Sequence, residues 1–452
     1  MVNTLFLPEL REMLAENNTA ELTEFCEALH PARTAEFMEG LSADEAWRVL
    51  SFADAPTRAE IFSFFEHHKQ IEIIESQDRA QIAELIAELA PDDRVDVLSD
   101  VEDDVVQELL PLLPADERRD ILRLSAYPEG VAGAVMTTEV AKLSENLTVR
   151  EALDDLRRQA EEYETIYYIY AVDDAGHLRG LVSARQLVSK MGKPDTPLRD
   201  LMETELVTAH VLDDQEEVAN KVARYDLLAI PVVDDEYRML GIITHDDVID
   251  VMHEEALEDA HMSAAVAPLD ESYLLTHFFT LSWKRGIWLC ILFVAALFTA
   301  VSLRMYEDRL AEWAWLVAFI PLVISSGGNS GSQSATLIIS ALSRGHITLR
   351  DWWRIMRREF FMGLVLGGML ASFGLIVALF VAPRWHEAFV IPITLLLVVT
   401  SGTMFGSMLP LIFHRLGLDP ALMSNPFVAA ISDNVGIIIY MTVAMVLLTQ
   451  GG

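Results

Sequence analysis

Two short periodicities and a set of long apolar runs divide the chain. Residues 1–130 carry helical spacing in short segments. LSADEAWRVL at Leu41 recurs as LAPDDRVDVL at Leu89 and as LPADERRDIL at Leu113. The offsets of 48 and 24 residues set a unit of 24, and the copy due near Phe65 (FEHHKQIEII) keeps only its apolar end. Each copy places Pro or a small residue, then acids, then an apolar stripe, which is the pattern of a helix start. Repetition of one such unit predicts a small superhelical stack. Residues 136–262 change period. MTTEVAKL at Met136 is echoed by METELVTA at Met202, and IYAVDDAGHLRGLVSARQLV at Ile169 by IPVVDDEYRMLGIITHDDVI at Ile230. Each copy reads as strand, helix, strand, turn, strand, helix. Five apolar runs follow, at about 286–303, 313–342, 360–382, 389–413 and 426–448. The last has 23 residues, about 35 Å of helix and enough to cross a bilayer. Pro426 suits its first turn, where a missing N–H costs nothing.

Charge sharpens this division. Of the 452 residues, 52% are hydrophobic, yet the formal charge is −36. Residues 1–270 hold 60 acidic and 22 basic side chains; residues 271–452 hold 9 and 11. A strongly acidic soluble half therefore precedes a membrane half. Such an excess repels nucleic acid and attracts metal cations, and it also serves solubility alone. Cys26 and Cys290, one in each half, imply no disulfide framework. MVNTLFLPELREML lacks a basic segment and a long apolar core, so no cleaved signal is expected and the soluble half is placed in the cytoplasm.

The acids are patterned. The stretch at Leu89 holds Asp92, Asp93, Asp96 and Asp100; Asp92, Asp96 and Asp100 recur every fourth residue and share one helix face, where like charges cost a few tenths of a kcal/mol per pair. A divalent cation would neutralise them, although acids at a helix start also simply favour its dipole. Asp213, Asp214, Glu216, Glu217, Asp226, Asp246, Asp247 and Asp250 crowd the repeated module. Mg²⁺ takes oxygen ligands and keeps much of its water, so it suits loose carboxylate clusters. No His/Cys spacing suggests zinc. In the connector that follows, Glu254 and Glu258, like Glu255 and Asp259, lie one helical turn apart. This helix would be repelled by the acidic module without cation and drawn in by it.

Polar residues inside the apolar runs are few. Asp433 lies within the fifth. A carboxylate at membrane depth is expensive and marks an ion pathway by default. No Lys or Arg falls inside any of the five runs to pair with it. The second run is interrupted by SSGGNSGSQS, Ser325 to Ser334. Small residues there allow close helix packing. Asn329 and Gln333 lie beyond that explanation and point to a bent pore or gate element against a water-filled path. Glu359 opens the third run, and an ion pair with Arg357 or Arg358, or a helix-start acid, accounts for it. Arg344, Arg350, Arg354, Arg357 and Arg358 crowd one loop and place it inside, with the C-terminus outside. No GxxxxGK[ST] loop is present, so flux would be passive.

The tandem module resembles a pair of cystathionine-β-synthase (CBS) domains. That family's nucleotide signature is met in the second copy by Gly241, Thr244 and Asp247. The resemblance implies that Asp247 holds ribose hydroxyls and Thr244 approaches a phosphate. The first copy has Gly180 and Ser183 but Gln186 in place of the Asp.

The whole order of parts, with PLVISSGGNSGSQ (Pro321 to Gln333) and NPFVAAISDNVG (Asn425 to Gly436) in the spans, is similar to the MgtE family of magnesium channels and transporters. The resemblance implies a mixed fold. An all-α superhelical repeat domain (1–130) is followed by α/β CBS domains (131–200 and 201–252), a connector or plug helix (253–284), and an α-helical membrane domain of five spans (285–452). It implies a multi-pass homodimer in the plasma (inner) membrane with a pore on the two-fold axis. Hydrated Mg²⁺ would sit at Asp433, near Asn329. The cytoplasmic Mg²⁺ that holds the pore shut is expected at Asp92, Asp96, Asp214, Glu216, Asp226, Asp247, Asp250, Glu255, Glu258 and Asp259, with ATP modulating the gate. A membrane potential supplies roughly 4.6 kcal/mol per 100 mV for a charge of two. The alternatives are a CBS-regulated transporter of broader selectivity (Mn²⁺, Co²⁺) and a membrane-anchored Mg²⁺ sensor. An intramembrane aspartyl enzyme would need a second Asp in a neighbouring run, which is absent, so no catalysis is expected.

Overall fold

The computed structural model describes residues 5–160, 163–269, 273–274, 276–420 and 424–449. The chain forms two compact units, Met1–His253 and Glu254–Gly452.

The first unit begins with α1 (Leu7–Glu16), α2 (Thr19–Ala28), α3 (Pro31–Met38), α4 (Ala43–Leu50), α5 (Ala55–Ser63), α6 (His67–Ser76), α7 (Arg79–Glu88), α8 (Pro91–Ser99), α9 (Asp103–Leu109) and α10 (Ala115–Leu124). The 24-residue repeat is a helix pair. Its first helices pack in sequence, α4 on α6, α6 on α8 and α8 on α10, and its second helices likewise, α5 on α7 and α7 on α9. One apolar core runs through the stack, from Leu10 past Leu50, Phe62, Ile73 and Ile86 to Leu109. Starts are chemically marked, as in the reciprocal capping of Ser42 and Glu45 at α4. The faint copy at Phe65 is also a helix, α6. Its pattern is blurred because Lys69 and Gln70 are buried there. Both are satisfied: Lys69 donates to the Glu39 carbonyl at 2.9 Å, and Gln70 to the Phe62 carbonyl at 3.0 Å.

The module that follows has two three-stranded sheets. One contains β1 (Val140–Ser144), β2 (Thr165–Val172) and β3 (Leu178–Ser183), with α11 (Val149–Gln159) and α12 (Ala184–Ser189). The other contains β4 (Ala209–His210), β5 (Ala229–Val233) and β6 (Met239–Thr244), with α13 (Gln215–Tyr225) and α14 (His245–Ser263). In each, the first pair is parallel and the second antiparallel. The segment before each sheet crosses to the other: Thr137 bridges Ile242, and Glu203 bridges Leu181. This crossing explains two glycines. A Cβ on Gly241 would lie 2.3 Å from the Thr137 carbonyl oxygen, and one on Gly180 would lie 2.8 Å from that of Glu203.

The second unit takes up α14 at Glu254 and continues with α15 (Phe278–Met305), α16 (Glu307–Glu312), α17 (Ile320–Ser343), α18 (Trp352–Val381), α19 (Val390–Arg415) and α20 (Asn425–Thr449). The helix expected over 253–284 ends at Ser263, and its start is the last helix of the second sheet rather than a separate element. The first span begins at Phe278, eight residues before the apolar run, because Lys284 and Arg285 are carried inside the helix. Five helices are long and apolar enough to cross a membrane: Phe278–Met305, Ala314–Ser343, Leu349–Val381, Glu387–Arg415 and Asn425–Thr449. Within them α19 packs on α17, α18 and α20.

The bend expected at Ser325–Ser334 is not formed; α17 is helical throughout. Backbone groups in lipid must be satisfied within their own segment, and here packing supports the glycines. A Cβ on Gly402 would lie 2.5 Å from the Gly327 carbonyl oxygen, and one on Gly406 would lie 2.0 Å from that of Gly331. The small residues therefore set a close α17–α19 crossing. Gly406→Ala is expected to lower the thermal midpoint in detergent sharply, with overpacking costing about 1–3 kcal/mol or more. Gly368→Ala, where a Cβ meets nothing within 4 Å, should leave it unchanged. Equal midpoints for the two variants would refute the close crossing.

Candidate divalent-cation sites

In the membrane unit, α20 is fastened to α17 at its start. Ser332 Oγ donates to the Asn425 carbonyl and Thr336 Oγ1 to Asn425 Oδ1, both at 3.0 Å. Further along, Tyr440 donates to the Leu316 carbonyl at 2.9 Å. Between these anchors, Asp433 lies against Gly328, where a Cβ would be only 3.2 Å from Asp433 Oδ1. Gly328 thus gives the carboxylate room beside α17. Asp433 is half-buried and has no ion pair or hydrogen bond among the described residues. Asn329 follows Gly328, is exposed on α17, and donates through Nδ2 to Ser325 Oγ at 3.2 Å. Its carbonyl oxygen has no donor among the described residues. Two oxygen ligands are therefore offered by adjoining stretches of α17 and α20. Glu359 takes neither Arg357 nor Arg358 as partner; Ser334 Oγ donates to its Oε2 at 2.7 Å.

In the first unit, α8 is set beside the second sheet's module. Asp92 and Asp93 face Asp247, with Asp246, Asp250 and Glu164 close enough to act on them electrostatically. No ion pair among the described residues neutralises any of these six. Asp92 Oδ1 is occluded and has no hydrogen-bond donor among the described residues. Burial, then the neighbouring acids, raise the pKa of Asp92, push Asp93 up to about 6 and push Glu164 up to about 7. Burial raises Asp247 as well, against the hydrogen bonds from Thr244 that lower it. An orphaned carboxylate oxygen amid uncompensated acids is a donor set for a hard divalent ion.

These raised values have a sign. The folded chain holds protons that the unfolded chain has already lost, so stability is present below the ordinary carboxylate range and declines as pH rises through the raised values. In chelator, the thermal midpoint of the chain is expected to fall between about pH 4 and about pH 7. Mg²⁺ should flatten that slope, and a midpoint that rises over this interval would contradict it.

The other expected ligands are distributed. Asp96 adjoins this group, acting electrostatically on Asp93. It is raised by burial and lies near His67, which meets Asp100 at 2.7 Å. Asp214 caps the start of α13, accepting from the Glu216 and Glu217 N–H groups at 3.0 and 3.2 Å. Asp226 closes the same helix in the left-handed region, at φ 51°. About 18 Å of helix separates those ends, so Asp214 and Glu216 cannot share one ion with Asp226 of the same chain. In the second unit, Glu258 and Asp259 are raised by burial; Asp419 adds to both, and Glu255 does so too. Ser343 Oγ donates to Asp259 at 3.3 Å. Glu164 and Asp419 are thus acids of these groups that spacing alone did not single out.

The nucleotide signature is used locally. Thr244 N–H and Oγ1 both donate to Asp247 Oδ2, at 3.1 and 2.6 Å. Ser183 and Gln186 form the equivalent capping box in the first copy. Asp247 is therefore shared between a helix cap and the acidic cluster.

Three family profiles match in chain order: "MgtE intracellular N domain" over 29–130, "CBS domain" over 132–193 and 198–254, and MgtE, "Divalent cation transporter", over 320–443. The chain is 38% identical to the magnesium transporter MgtE of Thermus thermophilus over 97% of its length and 98% of the relative's. It is 28% identical to that of Bacillus subtilis, over 96% of this chain and 95% of the relative's. Among solved structures it is similar to the cytosolic domain of the Mg²⁺ channel MgtE in complex with ATP, with 38% identity and a TM-score of 0.51 over 54% of this chain and 98% of that one. With its helical stack, paired CBS domains and five candidate spans in this order, the chain belongs to the MgtE family.

Proposed function

We propose that the chain is a passive Mg²⁺ channel of the plasma membrane, closed by cytoplasmic Mg²⁺. The observation that carries this reading is Asp433, a carboxylate within an apolar span that has no partner among the described residues. Hydrated Mg²⁺ at Asp433 and Asn329 would pass down the membrane potential, with water between ion and protein because Mg²⁺ dehydrates reluctantly. Two copies would supply two Asp433 carboxylates on a shared axis. The soluble half faces the cytoplasm and the C-terminus faces outside.

Closure would come from Mg²⁺ binding the closed state preferentially. The acids at Asp92, Asp93, Asp247 and Asp250 and those at Glu255, Glu258 and Asp259 supply its sites. Asp247 and Asp250 lie on α14, as do the last three. Thr244 and Asp247 would receive an adenosine nucleotide, with the Asp247 oxygen not used by the helix cap open to its hydroxyls. The similarity to an ATP-bound cytosolic domain supports this part. Mg²⁺ influx into proteoliposomes under an imposed potential tests the whole: uptake should be fast at low internal Mg²⁺ and fall steeply as it rises. A chain that takes up no Mg²⁺ under any gradient would be a membrane-anchored sensor, and uptake indifferent to internal Mg²⁺ would remove the gating role.

A further inference from the structure

Helices α3 and α6 bring together three donors distinct from the acids of α8 and α14. Glu39 closes α3, Glu66 is the residue just before α6, and His68 lies in its first turn. One ligand atom of each lies within 4.8 Å of the other two. His68 Nδ1 is 3.5 Å from Glu66 Oε2. Glu66 stands where a helix cap would, yet its side chain makes no capping bond. Glu66 and His68 both act electrostatically on the Glu39 carboxylate. The Glu66 carboxylate meets the imidazole rather than the backbone.

Lys69, the next basic group, is held by the carbonyls of Glu39 and Leu41. It contributes one positive charge against two carboxylates and closes no ion pair with either. Glu45 and Glu72 add negative potential around it. The group therefore has room for a divalent charge.

We propose that Glu39, Glu66 and His68 bind a first-row transition-metal ion of the Zn²⁺ or Co²⁺ class, apart from the sites proposed for Mg²⁺. The imidazole decides the class: it suits Zn²⁺, Co²⁺ and Ni²⁺, whereas Mg²⁺ prefers oxygen and water. A tetrahedral Zn²⁺ with bonds of about 2.0 Å spaces its donors about 3.3 Å apart, close to the present His68–Glu66 distance. Rotation of the Glu39 side chain brings in the third ligand, and water completes the shell. Such a site would let the helical stack report on transition metals independently of Mg²⁺.

The test uses the full chain in detergent, freed of any affinity tag, with Co²⁺ as probe and Mg²⁺ in large excess. Mg²⁺ occupies the all-oxygen clusters, so the remaining Co²⁺ absorbance reads the mixed site. One Co²⁺ per chain is expected to persist and to be displaced by Zn²⁺. His68→Asn and Glu39→Gln should each weaken it more than about tenfold, since even an outer-shell loss costs that much. Their thermal midpoints should match the parent, and His67→Asn should bind as the parent does. The proposal is overturned if His68→Asn binds Co²⁺ normally, if His67→Asn removes the ion instead, or if Mg²⁺ displaces all Co²⁺.

Discussion

Asp433→Ala is expected to cut Mg²⁺ influx into proteoliposomes by on the order of a hundredfold. A desolvated charge that loses its partner costs about 2–5 kcal/mol, and about 1.4 kcal/mol is a factor of ten. The fold gives the carboxylate no other work. It holds no helix end, pairs with no cation among the described residues, and lies beside Gly328 with space retained for it. Asp433→Ala should therefore insert and melt like the parent while failing to conduct. Asp433→Asn should conduct poorly too, because it keeps the shape and removes the charge. Parent-like flux in both, at equal incorporation, would shift the ion's main ligand to Asn329 and its neighbours on α17.

The second large effect concerns the acidic cluster. Asp92→Asn with Asp247→Asn removes two of six mutually repelling charges, including the one with the orphaned oxygen. Two opposite outcomes are expected together. In chelator, the variant should melt above the parent, since repulsion has been relieved. With Mg²⁺ added, it should gain less. A ligand at a hundred times its Kd stabilises by about 2.7 kcal/mol, and that increment should shrink with the loss of ligands. In flux assays the internal Mg²⁺ needed for closure should rise more than about tenfold, because the ion's preference for the closed state sets that threshold. A variant less stable in chelator, or closing at the parent concentration, would show that these acids serve the fold alone.

Much of this architecture is legible in the chain because each part has its own period. The recurrence at Leu41, Leu89 and Leu113 reports helix pairs directly. The doubled strand pattern reports two sheets, and Asp433 stands out against an apolar run. Other features needed distant neighbours. Ser325–Ser334 reads as a broken helix from the poor helix propensity of glycine, yet Gly402 and Gly406 on α19 make those glycines the condition for packing. Glu359 lies next to two arginines in sequence and bonds with a serine 25 positions earlier. Glu164 gives no signal of its own; only the fold brings it to Asp247. Lys69 and Gln70 erase the repeat at α6 because buried polar side chains there are satisfied by carbonyls that a hydrophobic pattern does not record. The CBS resemblance points to Gly241, Thr244 and Asp247, while the use of the last two in a helix cap follows from hydrogen bonds.

The unbroken course of α14 from His245 to Ser263 constrains how this chain can vary. Each added residue turns one end of a helix about 100° against the other. A single insertion after Glu255 would swing Glu258 and Asp259 out of phase with Glu255 without altering any of the three. Seven added residues, close to two full turns, would return them to nearly the same azimuth. Spacing along this helix is thus as much a determinant as side-chain identity, and natural length changes here should come in multiples of helical turns.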